Sequence, residues 1–538
     1  MRQHARIVLP AVVALATIAA PPRAYAQNQN AAAACAALNS LKVPGVTLAI
    51  TKAEWIAAGP AATATDGGGR RGAPPAQAPP AGPMLPSHCH LEGMIDKRTG
   101  AGGKTYGIGF ALALPDDWNG RFLFQGGGGL NGTVRPPLGA QAAGAMPGLA
   151  RGFAVVTTDT GHQSTQGFDG SFMQDQQAAL DFAYVAVGRV AVLAKQIITQ
   201  RYNRPPDRSY FAGCSTGGRE AMLMAQRYPT YFDGIVAGAP AMRTGFSGLG
   251  DRWVAITLNQ VAPKDEAGKP IPGRIFSDAQ KKAVVDGVLN ACDANDGVKD
   301  GMIFDTKSCT FDPQALVCKG ASTESCISSA QATALAKAFA GPKDSKGNQV
   351  YPGFLFDTGI TATQGIPGLL SPGNGPLGPP NVSLEQDVDR DARAAAANPQ
   401  QMIADTANWT NLSTFSGHGG KLLFYHGVSD PWFSALDTVD YYTRMAAANG
   451  GPEQVQQWSR LFLLPGMGHC QGGAAALDTF DLLTAMVNWV EKGTDPVNVT
   501  ATGRAFPGRS RPLCAYPQHA HYKGQGDPED AKNFECRP

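Results

Sequence analysis

Hydrophobic and polar positions alternate as strands and helices over two stretches of the chain, separated by a long block without that pattern. Residues 105–114 alternate toward a strand, and residues 121–125 form another that runs into four consecutive glycines, 126–129. Residues 152–158 are an apolar, β-branched run of the kind that buried parallel strands carry. Residues 178–202 repeat their apolar positions at helical period, which predicts a helix covering the sheet. A short strand at 209–212 leads into Gly213-Cys214-Ser215-Thr216-Gly217-Gly218, a helix follows to about Arg227, and 234–237 is the next strand. Between about 242 and 410 the alternation lapses and Gly/Pro-rich stretches such as 367–380 appear. It resumes with a strand at 421–426, a helix near 437–448, a strand at 460–464 and a helix near 478–492. Strands alternating with helices imply a mostly parallel sheet, so the expected fold class is α/β. Residues 242–410 then read as an insertion between two parts of one domain, 27–241 and 411–538. Residues 57–86, rich in Ala, Pro and Gly, read as a surface loop or linker. No internal repeat is visible.

The N-terminus departs from this pattern. Arg2 and Arg6 precede an apolar run, 7–20, too short to span a bilayer comfortably, and Ala24-Tyr25-Ala26 has the small-x-small form of a cleavage site. Residues 1–26 are therefore expected to be a signal peptide, and the protein to be periplasmic or extracellular. No later segment reads as apolar enough to cross a membrane. Loss of Arg2, Arg6 and Arg23 takes the formal charge from +2 to −1, a balance that offers nothing to nucleic acid. Ten cysteines and no C-x-x-C pair favour disulfides over zinc or thioredoxin-like chemistry. Cys292/Cys309, Cys318/Cys326 and Cys514/Cys536 are near enough in sequence to be local bridges. The sequons at Asn131 and Asn498 matter only in a host that glycosylates.

Gly213-x-Ser215-x-Gly217 lies between a strand and a helix, where glycines permit the sharp turn that exposes a nucleophilic hydroxyl. An isolated serine is a weak nucleophile and needs a base, itself held by an acid. Asp430 and His469 each follow a predicted strand by a short loop, which places them at the same sheet edge as Ser215. His418 precedes its strand and faces the other edge. His426 either lines the pocket or is a satisfied structural histidine. Cys214 precedes Ser215 and Cys470 follows His469, so a bridge between them would staple the serine turn to the histidine loop.

These stretches resemble the tannase and feruloyl esterase family, nearest its bacterial branch with feruloyl esterases and mono(2-hydroxyethyl) terephthalate hydrolase. The matching segments are Trp118-Asn119-Gly120-Arg121-Phe122, Gly213 to Glu220, Tyr425-His426-Gly427-Val428-Ser429-Asp430, Pro465-Gly466-Met467-Gly468-His469-Cys470 and Arg511-Pro512-Leu513-Cys514. The resemblance implies an α/β-hydrolase fold, a Ser215–Asp430–His469 triad and a lid formed by the inserted block. It also implies bridges Cys214–Cys470 and Cys35–Cys89 beside the three local pairs.

Acyl transfer passes through an oxyanion that two N–H donors usually stabilise. Thr216, next to the serine, is one expected donor, and the glycine run supplies the other, at Gly129 by the resemblance. Trp432 and Phe433 are expected to clamp a planar acyl group, and the Thr216 side chain to touch substrate. Asp293-x-x-Asp296-Gly297-x-x-Asp300-Gly301 packs three carboxylates into a glycine-permitted loop, a donor set that suits Ca²⁺ but not EF-hand spacing. The resemblance adds the backbone carbonyls of Val298 and Met302. The expected function is an exported serine ester hydrolase acting on small aromatic acyl esters, without redox or organic cofactor. Feruloyl or other hydroxycinnamoyl esters come first, because residues 367–400 carry no aromatic side chain and offer no counterpart to the acid-recognising lid of the terephthalate enzyme. Gallate esters and terephthalate monoesters follow. A peptidase, or an exported binding protein that has lost turnover, is the rival.

Overall fold

A mixed sheet of nine strands organises the computed structural model, which describes residues 23–61, 82–320, 325–363, 366–372 and 378–538. Its strands are β1 (Leu48–Ile56), β2 (His88–Thr99), β3 (Thr105–Pro115), β4 (Arg121–Gln125), β5 (Ala154–Thr158), β6 (Arg208–Cys214), β7 (Gly234–Gly238), β8 (Lys421–Gly427) and β9 (Ser459–Leu464). Their spatial order is β1-β2-β3-β5-β4-β6-β7-β8-β9. Pairing is antiparallel from β1 through β5 and parallel from β5 to β9. The strands expected from the hydrophobic pattern are all present. The pattern did not announce β1 and β2. In β1 only alternate residues are even half-buried, and Lys52 and Glu54 stand on its exposed side.

The principal helices are α1 (Arg23–Ala36), α2 (Ala186–Tyr202), α3 (Thr216–Arg227), α4 (Thr244–Asn259), α5 (Asp278–Cys292), α6 (Ser329–Phe339), α7 (Val388–Ala397), α8 (Ala435–Ala448) and α9 (Leu482–Lys492). The expected leader lies outside the described residues up to residue 22, and its expected cleavage point falls within α1. The α2 region corrects one expectation. Residues Gln176–Tyr202, including a π-turn at Asp181–Val185, are long and apolar enough to cross a membrane by composition. Here that apolarity serves the core, with Val187, Val190 and Ile197 buried against the sheet.

Successive strand residues point to opposite faces, and both faces are covered. Phe122, Phe124, Phe211, Ile235 and Phe424 pack with α2, α3 and α8. Leu123, Tyr210, Val236, Leu423 and Tyr425 pack with α9 and the C-terminal strands β10 (Asn498–Thr502) and β11 (Ser510–Cys514). The final helix starts at Leu482, because residues Thr479–Phe480 pair with β10 instead. The block from 242 to 410 adds no strand to the large sheet. Val254, Phe276, Val284, Leu335, Phe339 and Ile360 form a separate apolar cluster within it. Two parts of the block belong to the main core instead: Ala407 is buried in the α2 side, and Met302 and Phe304 in the α9 side.

Candidate active site

Ser215 caps the start of α3, directly after β6, with φ +66° and ψ −125°. A non-glycine residue at positive φ costs about 1–3 kcal/mol and persists only where its surroundings hold it. Here the Ser215 N–H donates to the Gly238 carbonyl at 3.0 Å, and the Ser215 carbonyl accepts from Ala241 N–H at 3.1 Å. The flanking glycines are dictated by space. A Cβ on Gly213 would stand 2.4 Å from the Gly217 carbonyl oxygen, and one on Gly217 would stand 2.8 Å from that of Gly127. The serine turn therefore packs directly on the glycine-rich loop after β4.

Asp430 and His469 follow β8 and β9 and meet above the sheet edge. Asp430 Oδ2 accepts from His469 Nδ1 at 2.6 Å, and Oδ1 accepts from the Trp432 and Phe433 N–H groups at 2.9 and 3.1 Å. Burial alone would raise the Asp430 carboxyl, but His469 and His426 outweigh it and hold it well below the usual carboxylate range. An ionised Asp430 puts the proton of His469 on Nδ1. Nε2 is then left as an acceptor, and it is buried without a hydrogen-bond partner among the described residues. Ser215 does not bond to it in this arrangement. Cys214 and Cys470, the residues next to Ser215 and His469, are bridged at a Cα–Cα distance of 6.0 Å. The other four bridges join Cys35–Cys89, Cys292–Cys309, Cys318–Cys326 and Cys514–Cys536.

His426 does not line a pocket. It is fully buried, its Nε2 donates to the Phe433 carbonyl at 2.9 Å, and its Nδ1 accepts from the Thr438 hydroxyl at 2.8 Å. Its Nε2 lies 3.4 Å from Asp430 Oδ2, so it braces the carboxylate from behind. Trp432 and Phe433 are half-buried and pack on His469, with ring centroids 4.9 and 5.1 Å away. Phe168, which no motif marks, packs on Trp432 in a T-shaped arrangement with ring centroids 5.8 Å apart. A Cβ on Gly129 would also stand 3.7 Å from its ring.

Gly129 takes φ +60° and its carbonyl accepts from the Thr216 hydroxyl. That side chain is thus engaged with protein rather than turned to the site. Thr216 N–H stands at the first helical position, where no intrahelical acceptor exists. Two residues missed in the sequence hold this loop. Glu220, fully buried one turn along α3, accepts from Gly127 N–H at 2.9 Å and from Asn131 Nδ2 at 2.6 Å. Asn131 Oδ1 in turn accepts from Gly128 N–H at 2.9 Å. Asn131 is therefore a structural group inside the protein, not an accessible sequon. Glu220 ends the Gly213 to Glu220 segment, but nothing in its spacing says that it reaches back to another loop.

The acidic loop belongs to the inserted block and packs against the C-terminal strands. Asp293 accepts from Asp300 and Gly301 N–H groups, and Asp296 from Val298 and Phe304 N–H groups. Asp300 pairs with Arg511. Burial, then the Asp300 and Asp293 carboxylates, push Asp296 up to about 7; burial, then Asp300, raise Asp293. No three His, Cys, Asp or Glu side chains among the described residues stand together as a metal cluster. The donor chemistry still fits a hard cation, because Asp293 and Asp296 are buried carboxylates with no cationic side chain within ion-pair distance among the described residues.

Residues 93–372 and 380–537 match the family model described as tannase and feruloyl esterase. The chain is 37% identical to mono(2-hydroxyethyl) terephthalate hydrolase of Piscinibacter sakaiensis over 541 aligned positions, which cover 88% of this chain and 89% of that protein. It is 33% identical to a probable feruloyl esterase B-2 of Neosartorya fischeri, covering 79% and 82%. The crystal structure of feruloyl esterase B from Aspergillus oryzae superposes with a TM-score of 0.74 at 27% identity, covering 94% of this chain and all of that one. The tannin acyl hydrolase of Aspergillus niger shares the fold, with a TM-score of 0.67 at 21% identity, covering 93% of each chain.

Proposed function

The chain belongs to the tannase and feruloyl esterase family of carboxylic ester hydrolases, and on that premise we propose that it is an exported serine esterase for aromatic acyl esters. The observation that carries this reading is the Asp430–His469 pair, whose Nε2 has no hydrogen-bond partner among the described residues, together with the Cys214–Cys470 bridge that joins the residues next to Ser215 and His469. His469 takes the Ser215 proton as the hydroxyl oxygen attacks the ester carbonyl, and Asp430 stabilises the imidazolium that forms. The Thr216 and Gly129 N–H groups hold the oxyanion. His469 then protonates the leaving alcohol, and water frees the acid from the acyl-enzyme.

Hydroxycinnamoyl esters are the proposed substrates, with Trp432 and Phe433 against the acyl ring. The 37% identity to a terephthalate-monoester hydrolase favours a second reading on that substrate; gallate esters are the third. The leader supports export, and five disulfides suit an oxidising compartment, periplasmic or extracellular. Asp293, Asp296, Asp300 and the carbonyls of Val298 and Met302 would hold a structural Ca²⁺, whose charge would offset the repulsion among the loop's carboxylates.

The test is hydrolysis of methyl ferulate, methyl gallate and mono(2-hydroxyethyl) terephthalate by the mature chain, with Ser215→Ala as control. Turnover that the control lacks supports the reading and ranks the acyl groups. No turnover of these or of p-nitrophenyl acetate, with calcium present and disulfides intact, favours a binding protein on the same fold.

A further inference from the structure

Both loops that carry the acid and the base are tied to one buried side chain of the inserted block. Asp357 is fully buried, just before the short helical turn Thr358–Thr361. Its Oδ2 accepts from the Ser429 hydroxyl at 2.6 Å and from Gly466 N–H at 2.7 Å. Ser429 immediately precedes Asp430, and Gly466 lies three residues before His469. The Ser429 hydroxyl also accepts from Gly359 N–H at 3.0 Å, which leaves its own proton for Asp357. The two loops meet each other directly as well, through Ser429 N–H to the Met467 carbonyl at 3.0 Å. Space is equally tight. A Cβ on Gly359 would stand 2.5 Å from the Gly466 carbonyl oxygen and 2.7 Å from Ser429 Oγ. Asp357 Oδ1 makes no hydrogen bond of full geometry among the described residues, although the Thr358 N–H and hydroxyl lie near the carboxyl and favour its ionised form. Burying a carboxyl with one oxygen unpaired is costly. The arrangement concentrates its bonds on the other oxygen, where the two loops converge.

We propose that Asp357 is a positioning residue for the Asp430–His469 pair, tying the two loops together from the inserted block through a single carboxylate oxygen. The block is then a structural part of the site it borders, rather than a cover laid over a finished one. Without Asp357 the Ser429 hydroxyl and Gly466 N–H lose their shared acceptor, and the spacing of the acid and base loops rests on direct contacts such as Ser429 N–H to the Met467 carbonyl. The inference rests on the serine-esterase reading above. Misplacement of reacting groups by about 1 Å can cost about 100-fold in rate, so the expected losses are large but short of abolition.

The experiment compares Asp357→Ala, Asp357→Asn and Ser429→Ala in the full mature chain with calcium. It measures thermal unfolding, kcat and KM on methyl ferulate, and the rate of fluorophosphonate labelling of Ser215. Asp357→Ala is expected to lower kcat and labelling about 10- to 100-fold with KM nearly unchanged. Asp357→Asn keeps an acceptor oxygen and is expected to recover most of the rate. Ser429→Ala is expected to move kcat in the same direction, and the Ala/Ala double variant to be no slower than Asp357→Ala alone. A folded Asp357→Ala chain with kcat and labelling within about twofold of wild type overturns the proposal. So does an Asn variant as slow as the Ala variant, or a loss confined to KM. Should Asp357→Ala fail to fold, Ser429→Ala decides, and a wild-type kcat there overturns it. A wild type that does not label at all would instead sink the serine reading, whereas equal labelling of wild type and Asp357→Ala sinks only the positioning role.

Discussion

Removing the Cys214–Cys470 bridge tests whether the staple sets the distance between serine and histidine. The bridge closes 256 residues of chain. Loop-closure entropy then predicts that it stabilises the fold by about 5.5 kcal/mol at 25 °C. The bridges Cys292–Cys309 and Cys318–Cys326 lie inside that loop and span 17 and 8 residues; because the dependence is logarithmic, they lower the figure by only about 0.1 kcal/mol. Alanine is the right replacement, since Cys214 is 2% exposed and a serine hydroxyl there would be buried beside apolar neighbours. The Cys318→Ala/Cys326→Ala control opens a bridge in the inserted block whose closure is worth about 2.5 kcal/mol by the same relation. Urea unfolding, kcat on methyl ferulate and phosphonate labelling are measured on both. The Cys214→Ala/Cys470→Ala chain is expected to lose stability by up to the larger figure and to lose kcat even where it is fully folded. The control is expected to lose stability alone. A folded Cys214→Ala/Cys470→Ala chain with wild-type kcat would refute the idea that the bridge positions His469 against Ser215.

Glu220→Gln replaces one acceptor with a donor facing Gly127 N–H or Asn131, so kcat should fall about 10- to 100-fold while KM moves little; an unchanged kcat would show that the glycine loop holds itself. Chelation with EDTA should lower the unfolding temperature, by a free energy of about 2.7 kcal/mol if calcium was present at about 100 times its dissociation constant. Asp296→Asn should remove that sensitivity, and identical melts with and without EDTA in the wild type would exclude the calcium loop. Burial pushes Asp159 up to about 7, against hydrogen bonds from Gln163, Gly161 and Gly109. The folded chain therefore holds the extra proton, and this group's contribution to stability falls as pH rises from about 4 to about 7. Burial lowers neighbouring His162 to about 4, which acts in the opposite sense below its ordinary value. The readout is accordingly the difference between Asp159→Asn and wild type, and matching pH–stability curves for the two would contradict the shift.

Wherever a local period was strong, the hydrophobic pattern read the fold correctly. The β-branched run of β5 and the glycine-bounded turn after β6 depend on neighbours in sequence, so sequence carries them. The same holds for Asp430 and His469, each placed by a short loop after an apolar strand, and for the cysteines that flank Ser215 and His469. Edge strand β1 escaped because one of its faces meets water and its alternation mixes charge with apolar residues. The role of His426 stayed open because burial is a property of the packed sheet: only the fold shows Thr438 and the Phe433 carbonyl closing on its two nitrogens.

What tertiary structure alone decided is the support around the proposed triad. Glu220 reaches the glycine loop 93 residues earlier in the chain, Phe168 meets Trp432, 264 residues further along the chain, and Asp357 joins loops 72 and 109 residues away. No local period or spacing encodes such contacts, because each partner satisfies no rule of its own segment. A buried carboxylate is tolerated only where distant N–H and O–H groups converge on it, and that convergence exists only once the chain has folded.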